Sequence, residues 1–138
     1  MASVKPKVQP DDLDAAFFNA VAKEGAICLQ NCNDCGNWTH PARYFCPQCG
    51  SEHQSFRPIS GKATIHSYTI SHFSVEPQWK DKVPYAAIVA EIAEGPRLVT
   101  RTEIPRDRIA IGVPIRVTAE VMDEEFSFFW SHLPEDVA

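Results

Sequence analysis

The stretch Cys32–Gly50, CNDCGNWTHPARYFCPQCG, contains two Cys-x-x-Cys pairs, each followed by a glycine, and the ten residues from Gly36 to Phe45 lie between the pairs. A Cys-x-x-Cys turn places two sulfur atoms on one side of a tight loop, and the glycine that follows can adopt a positive φ without steric cost. Two such turns supply the four thiolates of a closed tetrahedral metal site. The spacing therefore predicts a metal centre whose ligands are Cys32, Cys35, Cys46 and Cys49.

The number and type of ligands indicate the role of this metal centre. Four protein ligands leave no open coordination position for an activated water, which favours a structural role over a catalytic one. The segment from residue 28 to 58 is poor in apolar residues, so metal binding would supply folding energy that a core of its own cannot. We predict structural Zn²⁺, with iron as the alternative because rubredoxin-type sites use the same four ligands.

The fifth cysteine and the nearby histidines have other expected roles. Cys28 lies in the apolar run Ala26–Leu29, which predicts a buried structural cysteine, with a reactive thiol as the alternative. His40 and His53 flank the two cysteine turns. Since four sulfurs already complete the coordination of one ion, we expect both histidines at the surface or in supporting positions.

The sequence before the cysteine turns changes from irregular to helical. Residues 1–10 contain two prolines and two lysines without a periodic pattern, which predicts a loose arm. Apolar residues then recur at helical spacing, at Leu13, Phe17, Phe18 and Val21. Asp11 or Asp12 can accept hydrogen bonds from the first turn, and Gly25 offers a left-handed stop. The pattern predicts a helix at 12–23.

The sequence after Gly61 resembles a small all-β domain. Strand-like runs alternate with turn signals, at about 62–73, 84–94, 97–103, 113–122 and 125–132. Gly95-Pro96 and Asp123-Glu124 separate neighbouring runs closely enough for hairpins. Five short strands suit a closed barrel such as the OB-fold, with a small sandwich as the alternative. We therefore predict three parts: an arm and helix at 1–27, a metal ribbon at 28–58 and the barrel at 59–138.

Length and charge limit the function classes. The chain has 138 residues, enough for one core with a small appended module. Its net charge is -5, whereas proteins that bind nucleic acid usually carry a basic excess. The N-terminus lacks the apolar segment of a secretory signal, and no run approaches the ~18 apolar residues of a membrane span. We expect a cytoplasmic protein without a membrane anchor, in which clustered cysteines indicate metal instead of disulfides.

We find no convincing catalytic motif. Ser60–Ala63 fails as a phosphate-binding loop, because Phe56 occupies the earlier glycine position and Ala63 follows the lysine. His66 and His72 share one face of a predicted strand but have no nucleophile beside them in sequence. The acidic run Asp123–Glu125 is typical of a solvated turn. We therefore predict no catalytic residue in this chain.

Aromatic residues are the remaining unusual feature. On the last predicted strand Phe126, Phe128 and Trp130 share one face, and Phe129 points the other way. One face can fill the barrel core, and an exposed remainder would favour contact with a partner. Trp79, Val83 and Tyr85 are candidates for either the core or a contact surface.

The order of these features resembles that of one family. After a helix with Phe17-Phe18, the sequence reads Leu29-Gln30-x-Cys32-x-x-Cys35-Gly36, then Pro41-x-Arg43-x-x-Cys46-Pro47-x-Cys49-Gly50-Ser51, then Ser60-Gly61-Lys62-Ala63-Thr64, Pro84-Tyr85 and Glu94-Gly95-Pro96-Arg97. From about residue 11 onward it is similar to the acyl-CoA-associated zinc-ribbon/OB-fold family, long catalogued as a domain of unknown function. A tryptophan often stands in that family where this chain has Phe18.

The resemblance implies a mainly β fold with an N-terminal helix, a rubredoxin-like zinc ribbon and a C-terminal five-stranded OB-fold barrel. It implies zinc at Cys32, Cys35, Cys46 and Cys49. It also implies a small, non-catalytic accessory subunit in a hetero-oligomer with a thiolase-fold enzyme, which would be a thiolase, an acyltransferase or a retro-aldolase. In such a complex the partner supplies the catalytic residues, and the small subunit supports the assembly and helps to bind the acyl-CoA thioester.

Four residues are expected to contact CoA on this view. Phe17 and Phe18 could cover the apolar pantetheine arm, and Arg97 and Arg101 could meet the phosphates through charge-assisted hydrogen bonds. The alternative function, which follows from the barrel alone, is binding of single-stranded nucleic acid on aromatic platforms and a basic groove. The net charge of -5 counts against that alternative.

Overall fold

The computed structural model of the chain describes residues 3–137. The described residues form an N-terminal helix, a three-stranded ribbon sheet and a closed five-stranded barrel, as the sequence predicts. No helix among them has the length and apolar character needed to cross a bilayer.

Helix α1 spans Asp12–Glu24, within one residue of its predicted limits. It begins where the Asp11 carboxylate accepts a hydrogen bond from the Asp14 amide at 2.8 Å, and it ends at Gly25, whose φ is 64°. The Gly25 amide donates to the Val21 carbonyl at 2.8 Å. The residues at these two ends therefore fix the length of the helix.

The ribbon consists of three antiparallel strands, β1 (Cys28–Cys32), β2 (Trp38–Thr39) and β3 (Gln54–Pro58), in the order β2-β1-β3. Buried Gln30 in the central strand secures the loop that carries the second cysteine turn. Its side-chain amide donates to the Arg43 carbonyl and accepts from the Arg43 amide, both at 2.8 Å. This pair of hydrogen bonds fixes the loop where the apolar core does not reach it.

The barrel contains β4 (Lys62–Ser71), β5 (Tyr85–Ile92), β6 (Arg97–Thr102), β7 (Pro114–Val121) and β8 (Ser127–His132). Its strand order is β4-β5-β6-β8-β7, and β7 pairs with β4 to close it, which excludes the sandwich alternative. Among the barrel strands that the structure describes, only β6 and β8 run parallel. A short helix, α2 (Pro77–Lys80), lies between β4 and β5 and was not predicted.

The predicted strands differ from the observed ones mainly at their ends. Strand β8 begins at Ser127 instead of 125, because the Asp123 carboxylate accepts hydrogen bonds from the amides of Glu125 and Phe126 and holds them in a turn. Strand β4 ends at Ser71, after which His72 and Phe73 are exposed.

One apolar core joins the three parts of the chain. It includes Phe17 and Val21 from α1, Leu29 from the ribbon, and Ile65 and Ile88 from the barrel. Cys28 is also fully buried in this core. Burial raises the pKa of the Cys28 thiol to about 11, so it stays protonated at neutral pH and packs as a small apolar group.

The N-terminal arm is anchored to the barrel instead of loose. Residues 3–10 form no helix or strand, but the Ser3 hydroxyl donates to the Glu120 carboxylate at 2.7 Å. Lys5 pairs with Asp123 at 2.7 Å and with Glu125 at 2.9 Å. These partners are distant in sequence, so local composition could not indicate them.

Gly61, just before β4, offers a test of the barrel geometry. Its φ is 84°, and a Cβ atom there would lie 3.3 Å from the Val117 carbonyl oxygen. We expect Gly61→Ala to lower the free energy of unfolding by about 1–2 kcal/mol, the usual cost of a left-handed residue with a side chain. Urea unfolding measures this change. Gly112→Ala is the matched control: Gly112 has a φ of 90° and no atom within 4 Å of an added Cβ, so it should show the left-handed cost alone, and Gly61→Ala should cost more because of the Val117 carbonyl. A Gly61→Ala variant as stable as the parent would contradict the expectation.

Candidate metal centre and aromatic cleft

The two cysteine turns meet in space as their spacing predicts. The ligand atoms of Cys32, Cys35, Cys46 and Cys49 all lie within 4.8 Å of one another. The sulfur of Cys32 is 3.6 Å from that of Cys49, and the sulfur of Cys35 is 3.5 Å from that of Cys46. A tetrahedral zinc with Zn–S bonds of about 2.3 Å places neighbouring sulfurs about 3.8 Å apart. The donor set and its spacing therefore fit one tetrahedral ion.

The backbone of each turn prepares its sulfurs for a cation. The Gly36 amide donates to the Cys32 carbonyl at 2.9 Å, and Gly50 bonds to Cys46 in the same way at 2.8 Å. Both glycines have a positive φ, 78° and 79°, as predicted. The backbone amide of Cys35 lowers the pKa of the Cys32 thiol to about 6, and the pKa of Cys46 is also lowered, which favours the thiolate form that a metal binds, whereas the pKa values of Cys35 and Cys49 are raised.

A small polar cluster connects the two turns beside the sulfurs. The Ser51 hydroxyl donates to the Asp34 carboxylate, and His53 Nδ1 lies 3.2 Å from the same oxygen. The Asn33 amide also donates to the His53 carbonyl at 2.8 Å. His53 therefore has the supporting position that the sequence predicts. His40 instead packs against Phe17, with ring centroids 5.3 Å apart, and burial lowers the pKa of its imidazole.

The second candidate site is a cleft of about 630 Å³ on the side of the barrel, which we call the aromatic cleft. It is formed by α1, α2 and the strands β5, β6 and β8, and its volume lies in the range of small-molecule sites. The rings that line it come from Phe18, Trp79, Tyr85, Phe126, Phe128, Phe129 and Trp130.

Arg101 from β6 lies among these rings. Its guanidinium carbon is 4.3 Å from the ring centroid of Trp79, 4.4 Å from that of Phe128 and 4.5 Å from that of Trp130. The hydrogen bond it donates within residues 3–137 runs from Nη1 to the Ser3 hydroxyl at 3.2 Å. Burial lowers the pKa of Arg101. Three cation–π contacts thus hold this cation in the aromatic cleft.

The structure brings together two of the four expected CoA contacts. Phe18 and Arg101 both line the aromatic cleft. Phe17 is only 6% exposed and packs in the core. Arg97 is exposed near Glu91, at 3.9 Å, and is not among the cleft residues.

The aromatic residues at 126–130 are divided between two faces, as the sequence predicts. Phe129 packs against the core, and the face of Phe126, Phe128 and Trp130 lines the aromatic cleft. Ser127 and Ser131 are the buried residues of this strand, and the Ser131 hydroxyl lies 2.5 Å from that of Thr100. Ser131 can therefore occupy the inner face because its hydroxyl finds a partner there, whereas the buried Ser127 hydroxyl has no hydrogen-bond partner within residues 3–137.

Two family models match neighbouring segments of the chain, the ribbon and the barrel. The family model described as the ChsH2 rubredoxin-like zinc ribbon domain matches residues 20–54, and that of the ChsH2 C-terminal OB-fold domain matches residues 56–120. A relative from Thermomonospora curvata, described as a probable enoyl-CoA hydratase alpha subunit, is 34% identical over 103 residues. This match covers 74% of the chain but 32% of the relative, so the chain spans about a third of that protein's length.

A second relative is similar in length. The DUF35 domain-containing scaffold protein of Methanothermobacter thermautotrophicus is 32% identical over 103 residues, which cover 73% of this chain and 74% of that protein. Among solved structures, an Ltp2-ChsH2(DUF35) aldolase contains a chain that superposes with a TM-score of 0.74 and 30% identity, covering 92% of this chain and 97% of the other. A DUF35 protein of unknown function from Sulfolobus solfataricus shares the fold, with a TM-score of 0.54 at 20% identity, covering 84% of this chain and 82% of that one. With its zinc ribbon and OB-fold domains of the ChsH2 type, the chain therefore belongs to the DUF35 family.

Proposed function

We propose that this protein is a non-catalytic accessory subunit of a thiolase-fold CoA enzyme, which it supports while helping to bind the acyl-CoA thioester. The observation that carries the proposal is the superposition over 97% of a chain from the Ltp2-ChsH2(DUF35) aldolase. The description of another relative as a scaffold protein supports the same role. A retro-aldolase partner is favoured over a thiolase or an acyltransferase by the aldolase relative, and a cytoplasmic location is part of the proposal.

The surface of the chain offers places where a partner could bind. Tyr44 and Phe45, in the loop between the two cysteine turns, are 62% and 57% exposed. Phe73 and Val75, between β4 and α2, are also exposed. Large apolar side chains on a surface favour a protein contact, since their burial against a partner is favourable.

The metal centre would act through the fold and not through chemistry. When bound, zinc would cross-link the two cysteine turns and hold the loop with Tyr44 and Phe45 in position. The four cysteines fill the coordination shell, so no substrate position is left on the ion.

We retain the division into an arm and helix at 1–27, a ribbon at 28–58 and a barrel at 59–138.

Direct contact with CoA is proposed for Phe18 and Arg101. Both line the aromatic cleft, which has the size and mixed apolar and cationic lining that a CoA fragment requires. Phe17 and Arg97 leave this proposal, because one has almost no free surface and the other lies outside the aromatic cleft.

Reconstitution with a thiolase-fold protein of the same organism tests the proposal, beginning with any that is encoded beside this one. We expect no turnover of acyl-CoA by the purified chain alone. When the chain is added to the partner, C–C bond cleavage or formation should appear or increase, and the KM for the thioester should fall. A partner whose turnover and thioester affinity are unchanged by the chain would contradict the proposal.

Two controls sharpen this experiment. Cys46→Ser, which removes a metal ligand, should abolish the effect on the partner, whereas Arg108→Met should leave it intact because Arg108 is an exposed residue paired with Glu135. Micromolar, steeply salt-dependent binding of a single-stranded oligonucleotide would instead favour the nucleic-acid alternative.

A further inference from the structure

We propose that the aromatic cleft is a ligand site for a flat ring that carries an anionic group, with Arg101 as the residue that binds the anion. Two sources have this chemistry: a free aromatic carboxylate and the phosphorylated adenosine end of CoA. This assignment rests on the proposed function only for the CoA source, because every residue of the aromatic cleft belongs to this chain.

Arg101 feels the charges of Glu120 and Glu103, but neither carboxylate forms a salt bridge with it. Within residues 3–137 it forms no salt bridge, and the hydrogen bond of Nη1 goes to the neutral hydroxyl of Ser3. Its Nε is buried without a hydrogen-bond partner. A partly desolvated guanidinium gains from an anion, and its planar donors suit a carboxylate or a phosphate.

Glu120, an acidic group that acts on Arg101, forms its hydrogen bonds with other partners. Oε1 of Glu120 accepts hydrogen bonds from the Ser3 hydroxyl at 2.7 Å and from the Trp130 indole at 2.9 Å. Glu120 therefore holds the Trp130 ring against Arg101 and positions Ser3, which in turn accepts from the guanidinium. The same carboxylate orients the cation and attracts it electrostatically, but does not form a direct salt bridge with it.

The walls of the aromatic cleft favour a planar ligand. On the α2 side Trp79 and Tyr85 pack with ring centroids 4.7 Å apart, and on the β8 side Phe126 and Phe128 pack edge to face at 4.9 Å. Flat aromatic groups bind well between such rings, through stacked and edge contacts.

The charged groups around the cleft are of both signs. Lys82 lies 5.0 Å from the Trp79 ring centroid and adds a second cation to the lining. Glu103 is the acidic residue of the lining, and it is exposed. Glu103 and Glu120 both act on Arg101 electrostatically, so the match to a ligand with a negative group rests on the guanidinium that lies among the rings and not on an excess of positive charge.

Three probes, of which the first two are matched in size, test the site on the purified, zinc-loaded full chain by calorimetry. They are 2-naphthoate, its neutral analogue 2-naphthylmethanol, and adenosine 3′,5′-bisphosphate for the CoA source. We expect 2-naphthoate to bind at least tenfold more tightly than the alcohol, since hydrogen bonds to a charged group are the stronger ones. Binding should also change the tryptophan fluorescence, because Trp79 and Trp130 line the aromatic cleft and Trp38 lies in the ribbon.

Variants assign the binding to Arg101. Arg101→Met keeps an apolar stem but removes the charge, and it should weaken 2-naphthoate binding at least tenfold while leaving the alcohol unaffected. Arg101→Lys keeps the charge without the planar donors, so its affinity for 2-naphthoate should lie between those of the parent and of Arg101→Met. Arg108→Met, an exposed arginine that does not line the aromatic cleft, should bind as the parent does. Thermal unfolding checks that each variant is folded.

The outcomes separate the two sources and the possible failures. Tighter binding of adenosine 3′,5′-bisphosphate than of 2-naphthoate, lost in Arg101→Met, would identify the nucleotide end of CoA as the ligand. Tighter binding of 2-naphthoate than of adenosine 3′,5′-bisphosphate would identify an aromatic acid as the ligand. Equal affinity for 2-naphthoate and its alcohol in the parent chain, unchanged binding in Arg101→Met, or no binding of either anion at millimolar concentration would overturn the assignment. Any of these results would leave reconstitution with the partner as an independent test of the proposed function.

Discussion

Cys46→Ser is expected to unfold the ribbon while at least part of the barrel stays folded. Cys46 is buried, and it supplies one of the four sulfurs that fit the metal ion. Structural zinc contributes about 10–16 kcal/mol of binding free energy in small zinc modules, and this energy is available only when the ligands are complete. The barrel has its own closed set of paired strands. Elemental analysis should show zinc lost from the variant, and NMR spectra should lose the dispersed signals of 28–58.

Cys28→Ala is the matched control for this experiment. Cys28 is a buried cysteine outside the metal cluster, so its replacement should leave one zinc per chain. Stoichiometric iron in the parent protein would contradict the assignment of zinc. A ribbon that stays folded without any metal would contradict the structural role itself.

Phe17→Ala should lower the free energy of unfolding by about 3–5 kcal/mol, the usual cost of removing a buried phenylalanine side chain. The Phe17 ring packs against His40 at 5.3 Å, Phe56 at 6.2 Å and Phe129 at 5.7 Å between centroids. It therefore joins helix α1 to both the ribbon and the barrel, and its loss leaves a cavity where the three meet. Urea unfolding followed by circular dichroism measures the change.

Phe45→Ala provides the comparison, because Phe45 is 57% exposed and its loss should change stability by no more than about 0.5 kcal/mol. If Phe17→Ala were equally harmless, Phe17 would not be a core residue in solution. In that case the earlier expectation of a CoA contact at Phe17 would regain support.

The parts of the fold that depend on neighbouring residues could be predicted from the sequence. Asp11 and Gly25 mark the ends of α1 because their effects act within one helical turn. The metal cluster could be predicted because each Cys-x-x-Cys turn is a local structure, and only one contact between the two turns had to be inferred.

The aromatic cleft could not be predicted in the same way. It forms because barrel closure brings Trp79, Arg101 and Trp130 together from three separate segments. The alternation of β8 could show that Phe128 and Trp130 share a face, but not that this face is the outer one. That choice depends on Ser131 finding Thr100 inside the barrel, a contact with a residue on another strand.

The parallel pairing of β6 with β8 has a consequence for the thermodynamics of the barrel. Its register contains two residue pairs, Arg101 with Trp130 and Thr102 with Ser131, whereas β7 and β8 are paired along six. A short pairing of this kind is where a closed barrel should open most readily, and amide exchange would be fastest there. Because one of the two pairs also lines the aromatic cleft, a ligand that contacts both strands binds only the closed form. Occupancy of the cleft and closure of the barrel are then linked equilibria, and each increases the other.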